Sequence, residues 1–222
     1  MKDRQLADSI EPLTAFLASS PLTAAIAELE QHLDGLERDQ IEAVTEASGI
    51  DRDLLAAAIT VRRNLGRISD LIHAAAIVLV LPFVMEDGEQ ISNRPSLAAG
   101  NDPSRPFDIE TNRRVAEFKL SQWAGADAMR KRQTFKDLVH LAADTSGRQP
   151  ELFVAGEAPG RFLRSSRSTA SWALDRSPAS RELFIERFGA LSMTVADFTS
   201  GPAARVRITD LTSMLPEIAN VS

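Results

Sequence analysis

The chain has 222 residues, 44% hydrophobic and 25% charged, a balance ordinary for a soluble globular protein and sufficient for one large domain or a domain with an appendage. It contains no cysteine, which excludes disulfides and Cys-ligated zinc and fits a reducing cytoplasm. The net charge of −6 does not by itself favour nucleic acid, but it is uneven: residues 1–60 carry 4 basic and 12 acidic groups, and residues 111–187 carry 14 basic and 9 acidic. That asymmetry is compatible with a phosphate-binding face, and equally with a basic half that solvates itself or pairs with the acidic one.

The opening MKDRQLADSIEP has no apolar run of signal-peptide type, and the most apolar stretch, Ala74 to Val84, is interrupted by Pro82 and too short to span a bilayer. No membrane association is therefore expected. Ile10, Leu13, Phe16 and Leu17 have helical spacing. Ser20-Pro21 starts a second helical pattern that runs to about Ser48, with a break near Gly35 and an acidic, solvated face. Asp51 begins a third, with Leu54, Leu55, Ala58 and Ile59 inward. These segments define a helical N-terminal region, residues 1–60, ahead of a domain over 61–222. A more apolar helix is predicted from about Arg67 to Val80, with Ile68, Leu71, Ile72, Ala75 and Val78 on its buried side and Ala74, Ala76, Ile77 and Leu79 widening it. His32, His73 and His140 lack close metal-ligand spacing.

Residues 86–106 are rich in Gly, Asn, Ser, Asp and Pro and read as a long loop, interrupted by a short strand around Ser96 to Ala99. The next stretch, PFDIETNRRVAEFKLSQW from Pro106 to Trp123, has the pattern of a β-hairpin. Asn112-Arg113 supplies a two-residue turn, with Asn where φ > 0 is tolerated. Register follows by counting: Thr111 opposes Arg114, Ile109 opposes Ala116 and Asp108 opposes Glu117. Alternation then gathers Asp108, Glu110, Glu117 and Lys119 on one face, and Ile109, Ala116, Phe118 and Leu120 on the other. Opposed carboxylates repel. A hard divalent cation between them removes that cost, and a nearby Lys can orient a nucleophile or offset developing charge. A solvated hairpin face can carry the same residues without chemistry.

Beyond the hairpin, a helix from Gly125 or Asp127 to about Ala143 has Phe135, Leu138, Val139 and Ala142 on its apolar side and Arg130, Lys131, Arg132 and Lys136 as its basic side. Arg130, Arg132 and Lys136 are candidate phosphate contacts. Trp123 suits base stacking or core packing. ELFVA, Glu151 to Ala155, reads as a buried strand. Residues 156–181 carry Arg161, Arg164, Arg167, Arg176 and Arg181 among many serines, as a cleft lining or a partner surface. A helix is predicted over Pro178 to Phe188, followed by strand-like stretches over Met193 to Phe198 and Arg205 to Ile208.

At Asp108 and Glu117-Phe118-Lys119, with an acid on one hairpin strand and Glu-x-Lys on the next, the chain resembles the PD-(D/E)XK nuclease superfamily. The resemblance covers residues 61–156 and is strongest over 100–143. It implies an α/β fold with a restriction-endonuclease-like core, a central mixed sheet flanked by helices. It also implies a Mg²⁺- or Mn²⁺-dependent endonuclease acting on DNA. Asp108 and Glu117 would bind the metal, Glu110 would be a further ligand or support, and Lys119 would serve the nucleophile. Some members carry an extra acid on the helix before the first strand; Asp70 stands there, though a first-turn acid also stabilises a helix N-terminus. Paired cleavage of two strands would favour a homodimer. The chain departs from the pattern in having Phe107 before Asp108, with Pro106 one place earlier. It also lacks the Gln and Tyr four apart found on the following helix of some members, since Gln133 is followed by Asp137. Two rivals stand beside the enzyme: a silent nucleic-acid-binding module on the same fold, and a protein-interaction module built on the acidic helices.

Overall fold

The computed structural model describes residues 2–19, 24, 28–29, 47–49, 51–65, 68–97, 106–121, 123 and 127–220. The predicted helix over residues 20–48, with its break at Gly35, lies largely outside them. The chain divides into two compact units, Met1–Ser69 and Asp70–Ser222. In the first, α1 (Lys2–Ser19) packs against α2 (Arg52–Leu65). Asp51 opens α2 as a side-chain cap, its Oδ1 accepting the Leu54 N–H at 2.7 Å. Ala57 is the buried residue of α2, whereas Leu55 and Ile59, expected inward, are exposed. The inward row runs instead through Leu54, Ala57, Ala58 and Val61, at three- and four-residue steps.

The second unit is mixed α/β, with a four-stranded mixed sheet flanked by helices. Its strands are β1 (Ile109–Glu110), β2 (Arg114–Lys119), β3 (Gln149–Val154) and β4 (Arg207–Asp210), in the spatial order β1-β2-β3-β4. β1 and β2 are antiparallel, while β3 runs parallel to β2 and β4 parallel to β3. The hairpin register is the one counted from the sequence, Ile109 opposite Ala116 and Glu110 opposite Val115. Its turn differs. Among the described residues no non-glycine φ is positive, so Asn112 does not use its left-handed tolerance. Thr111 closes the turn, its hydroxyl accepting the N–H groups of Arg113 at 3.0 Å and Arg114 at 2.8 Å. Asn112 is then free to bind residue 90 through its N–H and Oδ1. The preceding loop pairs alongside β1 earlier than expected, with Ser92 N–H bonded to Glu110 O, Ser96 N–H to Asp108 O, and a bridge from Ile91 to Thr111.

Side-chain alternation sends two apolar sets to opposite faces of this sheet. Val115, Leu152 and Val154 pack with α4 (Ala128–Ala143), α5 (Glu157–Ser165), α6 (Ala170–Ala173), α7 (Pro178–Phe188) and α8 (Val195–Ser200), around Phe135, Phe184 and Phe198. Ile109, Ala116, Phe118, Leu120 and Phe153 pack against Ala76, Ile77 and Val80 of α3 (Ile68–Val84). α3 is apolar almost all round, yet one row of it meets the sheet. Ile68, Leu71, Val78, Leu79 and Phe83 are exposed, contrary to the expected burial of Ile68, Leu71, Val78 and Leu79. The segment from Met193 to Phe198, β-branched and strand-like in sequence, forms the start of α8. Thr194 caps it, accepting the Asp197 N–H at 3.1 Å and donating to the Asp197 carboxylate at 2.7 Å. No helix among the described residues is long and apolar enough to cross a membrane.

The end of the sheet where β2 and β3 begin is tied by buried ions. Arg114 donates to both Glu89 oxygens at 2.6 Å and to Glu151 at 2.7 Å, and Arg207 reaches the other Glu151 oxygen at 2.8 Å. A bidentate, fully hydrogen-bonded arrangement is the form in which buried charge is tolerated. It ties the strands together at that end.

Candidate active site

Lys119 is the last residue of β2, at the end where parallel strands present their carboxyl termini, the usual place for a ligand in an open α/β sheet. Period-two alternation puts Glu117 and Lys119 on the face that carries Val115 and is covered by α4. The Lys119 ammonium lies 2.9 Å from Asp137 Oδ2 on α4 and 3.4 Å from Glu117 Oε2. Asp108, just before β1, accepts the Phe118 N–H at 2.8 Å, which locks it beside the Glu-x-Lys strand. His73 of α3 approaches its other oxygen at 3.5 Å.

The electrostatics follow from burial. Exclusion from water is the largest influence on Glu117 and pushes its proton affinity well above the ordinary 4.5; the charges of Asp108 and Asp137 add to it, and Lys119 opposes them without prevailing. Asp137 is raised for the same leading reason. Burial works against the Lys119 charge, but Asp137, Glu117 and Asp108 outweigh it and hold the ammonium above its ordinary 10.5. Three carboxylates thus share one cation, and Glu117 and Asp137 both ionise less readily than exposed carboxylates do. Asp137 Oδ2 has no hydrogen-bond donor among the described residues besides that ammonium.

Of the residues singled out from sequence, Asp108, Glu117 and Lys119 come together. Glu110 is engaged elsewhere: its carboxylate accepts from Arg148 at 2.9 Å and from Asn93 at 2.9 Å. Asp70 stands in the first turn of α3. Arg130 pairs with Asp127, the α4 cap, at 2.7 Å, and the Arg132 guanidinium lies 4.9 Å from the Trp172 ring centroid. Lys136 is near enough to act on the Asp137 charge. Trp123 meets Phe162 edge-on at 5.5 Å. Sequence reasoning passed over Asp137. Its signal was present: an acid flanked at helical spacing by Thr134, Phe135, Leu138 and Leu141, all buried on α4. A carboxylate on an apolar stripe needs a specific partner.

Among the described residues no group of three or more His, Asp or Glu forms a ready-made metal cage. The donor set is nevertheless of the kind a hard cation takes. It consists of carboxylate oxygens, in excess over the available positive charge, with Glu117 held above the ordinary carboxylate range mainly by burial. No family model, characterised protein or solved structure matches the chain.

Proposed function

We propose that the second unit is a restriction-endonuclease-like nuclease domain that hydrolyses phosphodiester bonds of DNA with Mg²⁺ or Mn²⁺. The observation that carries the reading is the surplus of buried carboxylate around Lys119, which lies 2.9 Å from Asp137 and 3.4 Å from Glu117. Asp108 and Glu117 are the residues that would hold the ion, with Asp137 fixing Lys119. When bound, the ion would activate water and offset charge on the phosphate. Lys119 stays an ammonium and is placed to orient a nucleophile or stabilise charge on a phosphate oxygen. The hairpin register, the parallel β2–β3 pair joined through α4, and the loop paired with β1 support the fold assignment. A chain without cysteine suits the cytoplasm.

A second reading is a silent nucleic-acid-binding module on the same fold. It is favoured by the Lys119–Asp137 contact at 2.9 Å, in which the ammonium already supplies a cation to the acidic cluster. Cleavage assays on duplex and single-stranded DNA separate the two. With Mg²⁺ or Mn²⁺, the wild type cuts, and Lys119→Ala and Asp108→Ala abolish cutting while still binding DNA. Binding without metal-dependent cleavage by the wild type would leave the silent module.

A further inference from the structure

The arginines of residues 156–181 acquire a place in the fold. Parallel register sets Lys119 beside Val154 and Val154 beside Asp210, so the carboxyl ends of β2, β3 and β4 stand in a row. At neighbouring-strand spacing, the Asp210 backbone is about 10 Å from that of Lys119. At that end of the row lies a cavity of about 340 Å³ whose lining includes Val154, Gly156, two arginines, Arg161 and Arg164, and two acids, Glu157 and Asp210. Val154 shares the α4-covered face with the candidate site.

The two arginines differ in state. Arg161 pairs with Glu157 one turn earlier at 2.8 Å, both largely exposed. Arg164 lines both this cavity and a second one of about 320 Å³ bounded by Thr199, Ser200 and Val206. Arg164 is exposed, and no ion pair or hydrogen bond engages its guanidinium among the described residues. It lies flat over Gly160: a Cβ built there would come within 2.8 Å of Nη2. The Asp210 carboxylate is turned to structural use, its Oδ1 accepting from Gly156 N–H at 2.9 Å and from the Thr212 N–H and hydroxyl at 3.0 and 2.9 Å.

We infer that this cleft is a phosphate subsite in which Arg164, with Arg161 at its rim, holds the DNA backbone beside the bond facing Lys119. A planar guanidinium suits a phosphate, and a weak exposed pair such as Arg161–Glu157 gives way to one readily. The inference rests on the nuclease reading for its choice of ligand. Its test does not depend on cleavage.

The test is fluorescence anisotropy of a short labelled duplex and its single strand in EDTA, across a series of salt concentrations. Arg161→Ala/Arg164→Ala weakens binding about tenfold and lowers the salt slope by about two. Arg176→Ala, an exposed arginine outside the cleft, binds as the wild type does. Gly160→Ala displaces the Arg164 guanidinium at little cost to the helix, so it weakens binding several-fold with an unchanged or higher melting temperature. Weakened binding by the cleft variants supports the subsite even if the wild type never cuts. If DNA binds and the cleft variants match the wild type, the subsite is overturned while the catalytic reading stands. Failure of the wild type to bind DNA at low salt overturns both.

Discussion

Glu117→Gln should make the protein more stable at alkaline pH, although it deletes a charge 3.4 Å from a lysine. Burial, reinforced by Asp108 and Asp137, already costs the Glu117 carboxylate more than Lys119 returns. The sign is fixed by linkage. An unfolded glutamate titrates near 4.5, and the folded group titrates well above that. As pH rises through this window the unfolded chain has released a proton that the native chain keeps, so native stability falls until the folded group also ionises. Glutamine cannot titrate and removes this part of the fall. Each pKa unit of the Glu117 shift is worth about 1.4 kcal/mol, and each kcal/mol moves the melting temperature of a chain this size by about 2–4 °C. Thermal melts in EDTA from about pH 4 to about pH 8 should therefore coincide at the acid end and diverge above it, with Glu117→Gln melting higher. Mg²⁺ should raise the wild-type melting temperature and leave the variant's unchanged, since ligand stabilisation follows from affinity for the native state. A variant that melts below the wild type throughout the range would refute the claim that Glu117 is held at a cost.

Arg114→Met should destabilise the protein by about 3–5 kcal/mol in urea denaturation, because Glu89 and Glu151 lose a buried cation; a loss within surface-pair range would contradict that role. Glu89 titrates in the opposite sense to Glu117. Burial opposes its ionisation, but Arg114, Thr111 and the Glu86 N–H overcome it and hold the group down at about 2. Its contribution is present above 4.5 and disappears as pH falls from 4.5 toward about 2. Glu89→Gln should flatten the acid limb of the stability profile there. Asp137→Asn removes the leading charge that raises Lys119. The Lys119 titration followed by NMR should move down, and metal-dependent turnover should fall with DNA affinity retained.

The sequence showed the hairpin because two rules agreed there: alternation of period two and a polar two-residue turn. Together they place Ile109 opposite Ala116, as found. Glu117 and Lys119 follow onto one face from that register alone. Other features are decided by contacts that no local pattern records. Thr111 closes the turn in place of a left-handed Asn112 because its hydroxyl reaches two backbone N–H groups. Met193 to Phe198 has strand-like composition, but the Thr194–Asp197 cap, itself a readable signature, outweighs propensity over so short a stretch. The periodicity of α3 favoured a row through Ile68, Leu71 and Val78, which is exposed, because nearly every position is apolar and the sheet alone selects Ala76, Ile77 and Val80. Glu110 shared a face with Asp108 by counting, yet Arg148, brought in from the turn before β3, takes its carboxylate. Asp137 belongs to the cluster only through the packing of α4 on β2, a tertiary contact.

The central claim, that the acidic cluster around Lys119 takes up a divalent cation, is tested most directly by calorimetric titration of the full chain with Mn²⁺ near neutral pH, in two buffers of different ionisation enthalpy. The wild type should bind the ion and release a proton as Glu117 ionises, while Glu117→Gln and Asp108→Asn should bind far more weakly, the former without proton release. A wild type that takes up no cation, or a Glu117→Gln variant that binds with the same affinity and the same proton release, would contradict the account.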